Sequence, residues 1–163
     1  MPHCGVVGEA AKIAANVYSL VERQGRVRSR VVPDVTAKTL REVLVSQIDA
    51  ETALNTDGAG QYRHPSFNGL FASHETVDHS RGEYVRGPAH TNTIESYLAL
   101  LKRGVYGVYH SVSKQHLHRY VAEFDFRYNN CVALGVDDFA RTMNALLGVQ
   151  GKRLTYSPAA NHA

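Results

Sequence analysis

Two runs rich in β-branched residues, Val17 to Glu22 and Val27 to Val32, flank the polar tetrapeptide Arg23-Gln24-Gly25-Arg26, and this arrangement constrains the chain most. Runs of this kind close as an antiparallel hairpin, with Gly25 able to supply the positive φ of its turn. In the second strand Val27, Ser29 and Val31 alternate with Arg28, Arg30 and Val32. One face can therefore be apolar while the other holds two guanidiniums over solvent or a ligand. Pro33 ends the strand, and Asp34 or Thr36 caps a helix whose apolar positions Ala37, Leu40, Leu44 and Ile48 recur at helical spacing.

Downstream the pattern changes twice. Ala53 to Thr56 reads as a short strand that stops at Asp57-Gly58, followed by a loop from Gly58 to Leu70 and a second extended piece, Glu75 to Asp78. His79 to Pro88 is too polar for a core element and reads as a surface loop or flap. From Thr91 the period turns helical, with Ile94, Tyr97, Leu98 and Leu101 on one stripe and Glu95 and Lys102 on the other. Gly104 and Gly107 break or fray that helix. Ser113 can cap the next, whose stripe is Leu117, Tyr120, Val121, Phe124 and Tyr128, a stripe that reads as core. A last helix starts at Asp137 or Asp138 and uses Phe139, Met143, Leu146 and Leu147. The order of elements predicts an α/β domain with a mixed sheet.

With 163 residues, 44% of them hydrophobic, the chain suits one compact domain that needs no disulfide or metal staple. Cys4 and Cys131 form no C-x-x-C pair, which speaks against a zinc ribbon or disulfide scaffold and for a reducing cytoplasm. Neither a signal peptide nor a membrane anchor is visible at the start. The net charge of +3 is too small to announce a nucleic-acid binder, but its distribution says more. One basic zone holds Arg23, Arg26, Arg28, Arg30, Lys38 and Arg41; the other runs through Arg81, Arg86, Lys102, Arg103, Lys114 and Arg119. The two could converge on one polyanion, or Arg28 and Arg30 could simply be the wet face of an edge strand.

Asp57 at a strand terminus and Glu95 on a helix stand out, because paired acids hold divalent metal for in-line phosphoryl transfer. Lys102 follows Glu95 by nearly two helical turns on the same face, about 10 Å along, where it can hold a neighbouring DNA phosphate. The same residues also read as a turn aspartate and the wet stripe of an amphipathic helix. His116 and His118 lie about 200° apart around a helix and cannot chelate one metal. His74, His79 and His90 lack the ligand spacing of a zinc site.

The run His90-Thr91-Asn92-Thr93-Ile94-Glu95-Ser96-Tyr97, with Leu100 to Gly104, Tyr109-His110, His116-Leu117, Arg119-Tyr120 and Phe124-Asp125-Phe126-Arg127-Tyr128-Asn129-Asn130, resembles insertion-sequence DDE transposases of the ISXO-type branch. The similarity covers roughly residues 17 to 156 and includes the hairpin, the Thr56-Asp57 strand end and His74 to Val77. It implies an RNase-H-like mixed sheet with flanking helices. It also implies Mg²⁺ or Mn²⁺ as cofactor, DNA (element ends and target) and another transposase chain as partners, and a cytoplasmic, nucleoid-associated location in a bacterium. By the resemblance Asp57 is the second acid and Glu95 the third, with Asn92 an alternative third ligand that leaves the choice open. By the resemblance Lys102 is the basic residue after the third acid; from the two basic zones, Lys102, Arg103, Arg28 and Arg30 are expected to contact DNA phosphates.

Departures from the family pattern shape the expectation. Met1 to Asn16 contain no Asp and only Glu9 as an acid, so the first strand and its acid are expected to be missing. The zinc ribbon and helical DNA-binding segments that usually precede the family's catalytic domain are likewise expected to be absent. Gly58-Ala59-Gly60 follows the strand acid, and Cys131 stands where an Arg is usual. These departures divide the chain into a non-family or disordered stretch 1–16, a partial catalytic domain 17–150 and a loose tail 151–163. The reading is a truncated transposase of doubtful activity, with a non-catalytic DNA-binding or transposase-interacting fragment as its rival.

Overall fold

The computed structural model describes residues 4–13, 15–77, 85–86 and 89–152. His79, Arg81 and most of the expected flap, as well as the tail beyond 152, lie outside the described residues. Two compact units divide the chain at residue 130.

The first unit is built on a five-stranded sheet: β1 (Cys4–Ile13), β2 (Ala15–Glu22), β3 (Val27–Val32), β4 (Ala53–Asp57) and β5 (Ser73–Val77), in the order β3-β2-β1-β4-β5. β1 to β3 form an antiparallel meander, while β4 and β5 run parallel to β1. The strand expected to be missing is thus present, as the central strand. Its composition carries little strand signal of its own. Gly5, Gly8 and the Ala10-Ala11 pair have weak strand propensity, and β1 is ordered by ladders on both sides rather than by its own sequence.

The hairpin forms where expected, but its turn differs. Gln24, not Gly25, takes the left-handed conformation, with φ 55°. Gly25 is needed for space instead: a Cβ there would stand 2.7 Å from Glu22 Cβ.

Helix α1 (Ala37–Gln47) follows β3 and is capped by Thr36, whose side chain accepts the Thr39 N–H. Asp34 supports the cap, its Oδ1 accepting from the Thr36 N–H and from the hydroxyls of Thr36 and Thr39. These hydrogen bonds hold its carboxyl below the usual range. Both residues considered for the cap therefore take part. Leu40 and Leu44 bury the inner face of α1 against Tyr18, Leu20, Val32 and Leu54.

After β5, two short strands, β6 (Val85–Arg86) and β7 (Ala89–His90), pair with each other. They lead into helix α2 (Asn92–Gly104), which continues through a π-helical turn at Val105–Tyr109 rather than breaking at its glycines. Helix α3 (Leu117–Asn129) follows a turn whose His116 N–H donates to the Ser113 carbonyl. Helices α2 and α3 cover the other face of the sheet, with Ile94, Tyr97, Leu101, Leu117 and Val121 buried on Val17, Val21 and Val27. Tyr120, Phe124 and Tyr128 pack against this cluster, as expected of a core stripe.

The second unit holds helix α4 (Asp138–Val149), whose N-cap Asp137 accepts the Ala140 N–H. Its expected core stripe is not buried: Phe139, Met143, Leu146 and Leu147 are exposed. Arg141 and Asn144 both reach back to Asn130, through its carbonyl and its side chain.

Candidate functional site

Asp57 ends β4, flanked by parallel β1 and β5. The register pairs Val7 with Thr56, so the next step along β1 sets Gly8 level with Asp57. Thr56 is fully buried, and its hydroxyl hydrogen-bonds His74 Nε2 at 2.9 Å. Burial holds the His74 pKa below its ordinary value. Leu54 belongs to the α1-side core, and His74, its neighbour in β5, sits beside Phe67 of that core. By strand alternation Asn55 and Asp57 take the opposite face, the one that α2 and α3 cover. The Asp57 carboxylate also accepts the Ala59 N–H at 3.4 Å, which starts the turn out of the strand.

Glu95 lies in the first turn of α2, where a carboxylate complements the positive helix end. Thr91, almost wholly buried, donates its hydroxyl to Glu95 Oε1 at 2.5 Å, and the Glu95 N–H donates back to the Thr91 carbonyl. The acid is thereby held one turn beyond the buried threonine. β7 lies against β5, so α2 begins on the β4–β5 side of the sheet before passing over β1 and β2. Asp57 and Glu95 thus share one face of the sheet.

Burial of Ile94, Tyr97, Leu98 and Leu101 turns Asn92, Glu95, Lys102 and Arg103 outward together. The remaining pair of basic candidates is elsewhere. Arg28 and Arg30 stand opposite Leu20 and Tyr18, residues of the α1-side core, and are exposed on that side of the sheet. The sheet therefore separates Arg28 and Arg30 from Lys102 and Arg103. Glu9 pairs in register with Tyr18. His116 and His118 are both exposed. Among the described residues no three His, Cys, Asp or Glu side chains gather as a metal-binding group. No described helix is long and apolar enough to cross a membrane.

The polar network that most organises this face was not anticipated. β3 is an edge strand, and α3 covers its open edge with side chains. Asn129 Oδ1 accepts the Val27 N–H at 2.7 Å while its Nδ2 donates to the Val27 carbonyl at 2.8 Å. One turn earlier, Asp125 accepts the Ser29 N–H and the Ser29 hydroxyl, each at 2.7 Å, and the Tyr97 hydroxyl from α2 at 2.5 Å. Burial, and then the Asp125 charge, push the Tyr97 phenol above its ordinary range. A carboxylate and an amide four residues apart inside an otherwise aromatic stripe were the available signal.

The fold and these residues describe a mixed α/β domain with one acid at a strand terminus and another on a covering helix. Residues 8–129 match the family described as the ISXO2-like transposase domain, and the chain belongs to that family. It is also 31% identical over 122 residues to an uncharacterized protein in transposable element ISH50 of Halobacterium salinarum, covering 74% of this chain and 40% of that protein. The chain thus spans about two fifths of that relative's length.

Proposed function

We propose that this domain serves as the DNA-cleaving core of a DDE transposase, acting in the movement of an insertion element, with Asp57 and Glu95 as two of its acids. The observation that supports the reading is that Asp57 ends β4 on the face of the mixed β3-β2-β1-β4-β5 sheet over which α2 carries Glu95; an RNase-H-like platform is part of the proposal. The donor set of two carboxylates with the Asn92 amide oxygen suits a hard cation such as Mg²⁺ in kind, though three protein ligands leave it much to take from water and phosphate. When bound, that cation would activate the attacking oxygen and stabilise the leaving one. Lys102 and Arg103, outward on the same helix, would hold the DNA backbone about 10 Å along the helix from Glu95. A second copy of a transposase chain is the expected assembly partner.

A second reading, a DNA-binding protein without cleavage, is favoured by one specific observation: glycine stands level with Asp57 on the central strand, at position 8. Both readings are tested by a nicking and strand-transfer assay in Mg²⁺ and Mn²⁺. Metal-dependent cleavage by the natural chain, abolished by Glu95→Gln, supports the first. DNA binding without cleavage, with cleavage gained on Gly8→Asp, supports the second. Neither binding nor cleavage by either protein refutes both.

A further inference from the structure

A cavity of about 210 Å³ opens between the β2–β3 hairpin and the C-terminal end of α1. Glu22 on its rim pairs with Gly5, which pairs with Leu54, so it lies about 10 Å back along the strands from Asp57. The walls contributed by Leu20 and Ile48 are apolar. At its mouth stand Arg26 and Arg28, both exposed and, among the described residues, without an ion-pair partner. Gln47 also lines it, but its carboxamide is folded under. Both polar atoms are sealed from solvent, and neither has a hydrogen-bond partner among the described residues. An amide that leaves a donor and an acceptor unmade is held weakly, and side-chain rotation into the cavity would offer both to a ligand.

We infer that this cavity binds a single unstacked nucleotide: its base lies between the apolar walls, its hydrogen-bonding edge meets the Gln47 amide, and its phosphate meets Arg26 and Arg28. A carboxamide supplies a donor and an acceptor side by side, the pattern that reads a base edge. Glu22 and Asp49 on the rim can accept from an exocyclic amine. The nucleotide comes from single-stranded DNA or from the free pool; the DNA source rests on the transposase reading.

The test uses the whole chain and two probes, a short single strand containing 2-aminopurine and the free 2-aminopurine deoxynucleoside monophosphate, read by fluorescence. Inorganic phosphate serves as competitor. Binding is expected to weaken roughly tenfold or more in Gln47→Met, whose melting temperature should stay level or rise because buried unmade hydrogen bonds are removed. Arg28→Ala should weaken it similarly and serves as the independent variant. A strand that binds far better than the monophosphate assigns the site to DNA; equal binding assigns it to free nucleotides. No emission change with either probe overturns the inference, as does insensitivity to Gln47→Met or displacement by phosphate as effective as by nucleotide. Duplex binding and nicking, read with Glu95→Gln alongside, separate the two failures: nucleotide binding without cleavage leaves the cavity assigned and the cleaving-core reading refuted.

Discussion

Asp125 collects three donors from two other elements, and its loss should be costly for a single side chain. Asp125→Ala takes the acceptor from the Ser29 N–H, which is left unmade, and from the Ser29 and Tyr97 hydroxyls, which keep only each other and the Ser19 hydroxyl in a half-buried setting. A loss of about 3 kcal/mol is expected in urea unfolding, against about 1 kcal/mol for Tyr97→Phe, which removes one donor. Equal losses would mean that the Tyr97 contact dominates the cluster. His74 makes a second residue-scale prediction. Its pKa is depressed by burial, so the unfolded chain binds the proton more readily. Stability from this group is therefore present above about pH 6.5 and falls as pH drops through the window between the unfolded and folded values. His74→Gln should flatten that acid limb of the melting temperature while keeping a partner for Thr56.

At the scale of elements, the two covering helices meet at a point with no spare room. A Cβ on Gly104 would fall 2.0 Å from Phe124 Cζ, so the helices approach only because residue 104 lacks one. Gly104→Ala should destabilise by about 1–3 kcal/mol through overpacking, and Phe124→Leu in the same chain should recover part of the loss; absence of any recovery would locate the strain elsewhere. The elements with strong local signals were legible: the hairpin, α1 with its Thr36 cap, β4 ending at Asp57, and α2 with its buried stripe. Those that depend on partners were not. β1 has a glycine- and alanine-rich sequence and is defined by its two neighbours. The exposed stripe of α4 shows the converse, a periodic pattern that burial does not follow. For the candidate site, the positions of Asp57 at a strand end and Glu95 on a helix face were legible. Its support was not, because the bonds to Asp125 span 96 residues from Ser29 and 28 from Tyr97.

For the whole molecule, the sheet acts as a partition between two basic surfaces. Duplex DNA that approaches the acids would meet Lys102 and Arg103, not Arg28 and Arg30. The slope of log affinity against log salt should fall by up to about 0.9 for each phosphate contact removed when Lys102 and Arg103 are changed to Ala, and stay unchanged for Arg28→Ala with Arg30→Ala. Equal changes for both pairs would mean that DNA wraps around the sheet edge.

The seam between α3 and β3 also works as a ruler. Four residues of helix advance about 6 Å and two residues of strand about 6.6 Å, which is why Asp125 and Asn129 can meet Ser29 and Val27 in one register. The two repeats agree only over that short interval, so the seam tolerates substitution of size far better than a change of count. A residue inserted between Phe126 and Tyr128 would rotate one of the two side chains about 100° off the strand and reopen the edge to strand addition by another molecule. Among natural relatives, length variation in this unit should therefore gather in the turn before Leu117 and avoid the interval from Asp125 to Asn129.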